Sequence, residues 1–149
     1  MAGLIQGIFK PQNPEKYKGN VHDIIYRSSW ELKFMMQVDR DPNVIKWSSE
    51  EMIIWYMSPI DNRKHRYFVD FVVDTKDGKR TLVEIKPAHQ TKAPVSTPKK
   101  RQKTYLKEVT TYVVNQAKWK AAEALCNAKG WKFAVLTEKE LGIKYQKLK

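Results

Sequence analysis

Asp70 lies in the apolar run Tyr67-Phe68-Val69-Asp70-Phe71-Val72-Val73, and Glu84 lies fourteen positions further on, in Thr81-Leu82-Val83-Glu84-Ile85-Lys86-Pro87. A carboxylate inside a β-run is costly to bury unless it is paired or coordinated. Lys86 follows Glu84 by two residues, so on a strand its ammonium and the carboxylate leave the same face. Two acids and a cation suit a hydrated divalent ion such as Mg²⁺, which takes one or two carboxylates and completes its octahedron with water and substrate oxygens. Such an ion polarises a phosphate ester and acidifies water. Lys86 would orient or help deprotonate that water and offset charge gathering on the phosphorus. The competing reading is an ordinary cross-strand ion pair on a solvated face, since acid-x-Lys triplets are common. Context favours the site: both acids sit in apolar runs of one hairpin, and a helix with another acid precedes them.

That helix begins at Ser28-Ser29-Trp30-Glu31, where Ser28 reads as the N-cap and Glu31 as its capping-box partner. Trp30, Phe34, Met35 and Val38 form its buried stripe, and it should stop before Pro42. Glu31 therefore has two candidate roles, as a structural cap or as a third metal ligand.

The register between the two acidic runs decides whether a site exists. With strands at residues 65–74 and 80–86 and a plain two-residue turn at Asp77-Gly78, Asp70 would stand opposite Ile85 and face away from Glu84 and Lys86. A shared site needs a shifted register. A three-residue loop with Gly78 at positive φ and a bulge, or an irregular strand at Asp70, would supply it.

Around this hairpin, residues 1–26 carry scattered Gly, Pro and Lys and read as an arm lying on the body. Short strands are expected at 43–47 and 52–57. Residues 87–98 are rich in Pro, Thr and Lys and read as an exposed loop. A short helix at 101–109 and a longer one at 116–129, capped by Asn115 and stopped by Gly130, should precede a strand at 131–136. Thr137-Glu138-Lys139-Glu140 is a second capping-box pattern, opening a short helix before the Lys-rich end. This order predicts an α/β (α+β) fold with a mixed sheet between helices. Trp30, Trp55 and Trp119 each sit on an apolar face and are expected in the core.

The chain has 149 residues, enough for one domain with a real core, and 42% of them are hydrophobic. Its formal net charge of +12 favours a polyanionic partner such as nucleic acid. The densest basic run, Lys99, Lys100, Arg101 and Lys103, would track a DNA backbone together with Lys92, and a solvated loop is the alternative. The one cysteine, Cys126, excludes an internal disulfide and a cysteine zinc site and suits a reducing cytoplasm. No apolar run approaches membrane-spanning length, and the first residues lack the order of an export signal, so neither a membrane nor that export route is expected.

The constellation Glu31, Asp70 and Glu84-x-Lys86 resembles the PD-(D/E)XK nuclease superfamily, in which a helix acid, a strand acid and an acid-x-Lys strand surround Mg²⁺. Tyr26-Arg27-Ser28-Ser29-Trp30-Glu31, Arg66-Tyr67-Phe68-Val69-Asp70-Phe71 and Val83-Glu84-Ile85-Lys86-Pro87 look like the branch holding the amino-terminal domain of TnsA-type transposon endonucleases. Trp47-Ser48-Ser49-Glu50, Thr111-Tyr112-Val113-Val114-Asn115 and Lys118-Trp119-Lys120-Ala121-Ala122 extend the likeness to the small head-completion proteins of T-even-like contractile-tailed phages. Val69 stands where the superfamily name has a proline, a position without chemistry.

The resemblance implies a restriction-endonuclease-like core in a single domain over 1–149, with the arm at 1–26 and a flexible basic loop at 87–100. It implies Asp70, Glu84 and Glu31 as ligands of Mg²⁺, for which Mn²⁺ would substitute, and Lys86 as the catalytic lysine. Gln116 and Lys118 match positions that in this superfamily reach the active site or a phosphate, against a solvated helix start. It further implies action on DNA with little sequence preference, late in phage head assembly in the host cytoplasm, with portal or neck proteins as partners and virion residence left open. A non-enzymatic plug on the DNA end and a free-standing repair or homing-type nuclease are the alternatives.

Overall fold

The structure, a computed structural model, describes residues 6–143. Within them the chain forms β1 (Gly7–Ile8), β2 (Ile25–Tyr26), α1 (Ser29–Arg40), β3 (Val44–Ser49), β4 (Ile53–Met57), β5 (Lys64–Phe68), β6 (Phe71–Thr75), β7 (Arg80–Ile85), α2 (Gln102–Lys129), β8 (Lys132–Leu136) and α3 (Glu138–Leu141). The central sheet runs β3-β6-β7-β8, antiparallel except for the β7–β8 pair. A parallel pair needs a long crossover, and here α2 supplies it. β4 and β5 form a separate antiparallel ribbon, as do β1 and β2.

Alternation along the central strands separates two apolar layers. Phe71, Val73 and Val83 face α1, where the Phe34 and Phe71 rings lie 4.6 Å apart. Val72 and Leu82 face α2 and pack with Trp119, Ala122 and Cys126. The β6–β7 connection is a three-residue loop, Lys76-Asp77-Gly78, with Gly78 at φ 78°. The Thr75 N–H donates to the Lys79 carbonyl at 3.0 Å and the Gly78 N–H to the Thr75 carbonyl at 3.0 Å. The strand expected over 65–74 is in fact two. It breaks at Val69-Asp70, so β5 leaves for the ribbon with β4 while β6 enters the central sheet. Two of the backbone groups at this break find partners outside the ladder: the Val69 N–H donates to the Met52 carbonyl and the Glu50 N–H to the Asp70 carbonyl.

Three other expectations change. The helices expected at 101–109 and 116–129 are one 28-residue helix, about 42 Å long. The mostly β-branched stretch Val109-Thr110-Thr111-Tyr112-Val113-Val114 costs only a few tenths of a kcal/mol per residue in a helix, and the Thr110 hydroxyl donates to the Leu106 carbonyl at 3.0 Å. Asn115 is consequently a buried mid-helix residue and caps nothing. The arm is built into the body over its described part: Phe9, Tyr17 and Ile24 are core residues, and the buried Asp39 accepts the Gln12 and Asn13 N–H groups at 2.8 and 3.1 Å. Trp55 is 59% exposed on the outer face of β4, while Trp30 and Trp119 are buried as expected. The expected loop at 87–100 is irregular apart from a 3₁₀ turn at Ala88–Thr91. The Lys-rich end lies outside the described residues.

Candidate active site

The register pairs Phe71 with Val83 and Val72 with Leu82, so continuing the ladder sets Asp70 opposite Glu84. This is the shifted register that a shared site requires, and the three-residue loop and the break at Asp70 both contribute to it. The Ile85 N–H donates to Asp70 Oδ2 at 2.9 Å and aims the carboxylate across the strands. Glu84 is buried on the α2 face, its Oε1 accepting the Tyr67 hydroxyl at 2.7 Å and its Oε2 lying 4.0 Å from Lys86 Nζ. Behind Lys86, the buried Glu138 accepts the Ala88 N–H at 2.7 Å and fixes the exit of the strand against α3.

Charge is poorly balanced here. Burial first, and then the charge of Glu84, push the Asp70 carboxyl well above the usual carboxylate range. Burial also raises Glu31, with Glu84 adding to it and the Arg27 backbone N–H opposing it. The Tyr67 phenol is raised by burial and by Glu84, so it keeps its proton and remains a donor. Three carboxylates thus share one field, with Lys86 beside Glu84 and Asp70, and with Arg27 and then Lys86 acting on Glu31.

The expected three-ligand set is not closed. Among the described residues no three acids, imidazoles or thiols are gathered around a point where a metal ion would sit. Glu31 is turned back on its own helix: its N–H donates to Ser28 Oγ at 3.1 Å, and its Oε1 accepts the N–H of Arg27, one residue before the cap. The Arg27 guanidinium in turn pairs with Glu50, whose N–H holds the Asp70 carbonyl. Asp70 and Glu84 are the residues that could hold a Mg²⁺ ion, since that ion needs only one or two carboxylates and the neighbouring acids, with raised proton affinity at Asp70, mark a place short of positive charge.

Lys118 reaches the site from the middle of α2, its Nζ 5.6 Å from the centre of the Tyr67 ring and 5.8 Å from that of Tyr56. Gln116 lines a hollow of about 430 Å³ beside Trp119, Phe133 and Val135 instead. Neither residue opens a helix. Lys99, Lys100, Arg101 and Lys103 cluster where α2 begins and are not among the charges that perturb Asp70 or Glu31. Lys100 is committed to Glu108 at 2.7 Å, whereas Lys99, Arg101 and Lys103 are exposed. Sequence reasoning missed Tyr67 because it stands an odd number of residues from Asp70, which in a regular strand would put the two on opposite faces.

Residues 41–138 match the family model described as the TnsA-like endonuclease N terminal. The chain belongs to this family, whose match takes in Asp70, Glu84 and Lys86 and begins after Glu31, and its mixed sheet between helices is a restriction-endonuclease-like core. It is also similar to the head completion nuclease of Enterobacteria phage T4, being 38% identical over 135 residues that cover 89% of this chain and 90% of that protein. Among the described residues no helix is long and apolar enough to cross a membrane.

Proposed function

We propose that this protein is a Mg²⁺-dependent DNA endonuclease that hydrolyses phosphodiester bonds during phage head completion, after packaging. The observation that carries the reading is the register that sets Asp70 opposite Glu84 beside Lys86. Membership of an endonuclease family and the name of the phage relative support it. Asp70 and Glu84 are the residues that would hold the ion, which when bound supplies a Lewis acid for the phosphate and a more acidic water. Tyr67 occupies one oxygen of Glu84 and the Ile85 N–H one oxygen of Asp70, so each carboxylate keeps a fixed direction for its other oxygen. Lys86 orients the attacking water and offsets the charge that builds on the phosphoryl group.

Lys99, Arg101 and Lys103, at the exposed start of α2, are suited to DNA phosphates, with Lys118 closer to the scissile position. Contacts of this kind give affinity without sequence preference. The protein's action would fall in the host cytoplasm with portal or neck proteins as partners, and the name of the phage relative supports the head-completion role alone. Plasmid incubated with Mg²⁺ should be cleaved, and Lys86→Ala should cut roughly 10²- to 10⁴-fold more slowly while still binding DNA. Equal cleavage by both proteins, or none by either, favours the second reading: a non-catalytic protein that plugs the packaged DNA end. The engagement of Glu31 by Arg27, which leaves two carboxylates in place of three, is the observation on its side.

A further inference from the structure

The outer face of the β4–β5 ribbon is not what a solvated face should be. Inward, Ile54, Tyr56 and Tyr67 pack under α2. Outward, Ile53, Trp55 and Met57 of β4 are 42%, 59% and 54% exposed, and Phe68 of β5 is 43% exposed. Ile53 pairs with Phe68, while the other two cross-strand neighbours are basic: Trp55 pairs with Arg66 and Met57 with Lys64. The Arg66 guanidinium lies 5.9 Å from the centre of the Phe68 ring. None of these six outward side chains is acidic, and the nearby Asp61 is taken by His65 at 2.8 Å.

Scale selects the occupant. Five-residue strands span about 17 Å, and two of them about 10 Å across, a footprint far below the roughly 800 Å² that each partner of a stable protein interface buries. It is the width of one nucleic-acid strand. Trp55 and Phe68 are diagonal neighbours across the ribbon, Phe68 standing two positions from Trp55's partner Arg66, a separation of about 7–8 Å that is roughly twice the 3.4 Å rise of stacked bases. Phe68 stands two residues before Asp70, so a strand lying on this face runs toward the carboxylate pair.

We propose that the outer face of β4–β5 is a stacking platform for an unpaired DNA strand, whose bases lie against Trp55 and Phe68 and whose phosphates meet Lys64 and Arg66. Aromatic stacking with a basic flank is how proteins hold single strands without reading sequence. The proposal deepens the nuclease reading, since it makes a frayed or single-stranded end part of the substrate, but binding itself does not depend on catalysis.

Fluorescence anisotropy of labelled oligothymidylate and of a labelled duplex, titrated with the full chain, tests it. Trp55→Ala should weaken single-strand binding about 10-fold or more, Trp55→Tyr should restore most of it, and duplex binding should hold. The single-strand loss should persist from about 50 to 200 mM salt, because stacking releases no counterions. Unchanged single-strand affinity in both Trp55→Ala and Phe68→Ala overturns the proposal, as does an equal loss for strand and duplex. A wild-type dimer that Trp55→Ala turns into a monomer also overturns it, assigning the face to a second copy. If wild-type protein cleaves nothing with Mg²⁺ yet the Trp55 effect is seen, the platform stands and the nuclease reading falls.

Discussion

Tyr67→Phe removes one oxygen atom and tests whether the site is organised as described. The lost bond is short, 2.7 Å, and donates to a buried carboxylate. Hydrogen bonds to charged groups contribute about 1.5–3 kcal/mol, and a buried acceptor left without a donor costs about as much. Taking about 2 kcal/mol, a chain of this size should lose about 4–8 °C in Tm. A merely structural bond would show only that. Because Tyr67 fixes the direction of Glu84, the variant should also need more Mg²⁺: about 2 kcal/mol corresponds to roughly a 30-fold rise in the concentration giving half-maximal cleavage. Titrating Mg²⁺ in a plasmid-nicking assay, beside a melting curve in EDTA, measures both. A Tyr67→Phe protein with unchanged Tm and unchanged Mg²⁺ midpoint would refute the geometry, and a Tm loss alone would make Tyr67 a packing residue.

Asp70→Asn should stabilise the metal-free protein. The folded-state affinity of Asp70 for its proton is raised, so between the ordinary carboxylate range and the raised value the folded state holds a proton the unfolded chain lacks, and stability falls as pH rises through that window. The variant carries no such charge and still offers an oxygen to the Ile85 N–H, so in EDTA its Tm advantage should grow from acid to neutral pH. Mg²⁺ should then stabilise the wild type selectively, by about 2.7 kcal/mol at 100 times its Kd, and a variant less stable than wild type in EDTA at neutral pH contradicts the electrostatics. Glu31→Gln keeps the backbone bond to Ser28 and an acceptor for Arg27, so stability should change by less than about 0.5 kcal/mol. Cleavage by this variant at the wild-type rate removes Glu31 from the ligand set, and a drop of about 10-fold or more with higher Mg²⁺ demand returns it.

The parts of the fold written in short-range chemistry were legible. Ser28 caps α1, Thr137 and Glu140 form the second capping box, and Gly130 ends α2 with φ 73°. Alternating or doubly apolar runs marked the strands. What the sequence hid were decisions made by tertiary context. Thr110 to Val114 read as a helix gap because β-branched residues are weak helix formers, yet packing of Val114 and Trp119 on the ribbon carries the helix through. Trp55 read as core because its run is apolar throughout, and composition does not tell which face of a two-stranded ribbon finds a partner. Glu31 read as the partner of Ser28, but its carboxylate reaches one residue further back, to Arg27.

The strand break at Val69-Asp70 connects these observations. In an unbroken strand Tyr67 and Asp70 would point to opposite faces, and Glu84 could have one of them but not both. Breaking the strand costs two ladder positions, and Met52 and Glu50 take up the Val69 N–H and the Asp70 carbonyl. In return the Tyr67 phenol, from the ribbon, donates to Glu84, and the Asp70 carboxylate, from the break itself, is held at Ile85 within the field of Glu84, while Phe68 is turned outward beside them. The proposed catalytic pair and the aromatic face are therefore set by one irregularity in the backbone. A substitution that forced 67–71 into regular pairing would disturb cleavage and single-strand binding together, even though no side chain takes part in both.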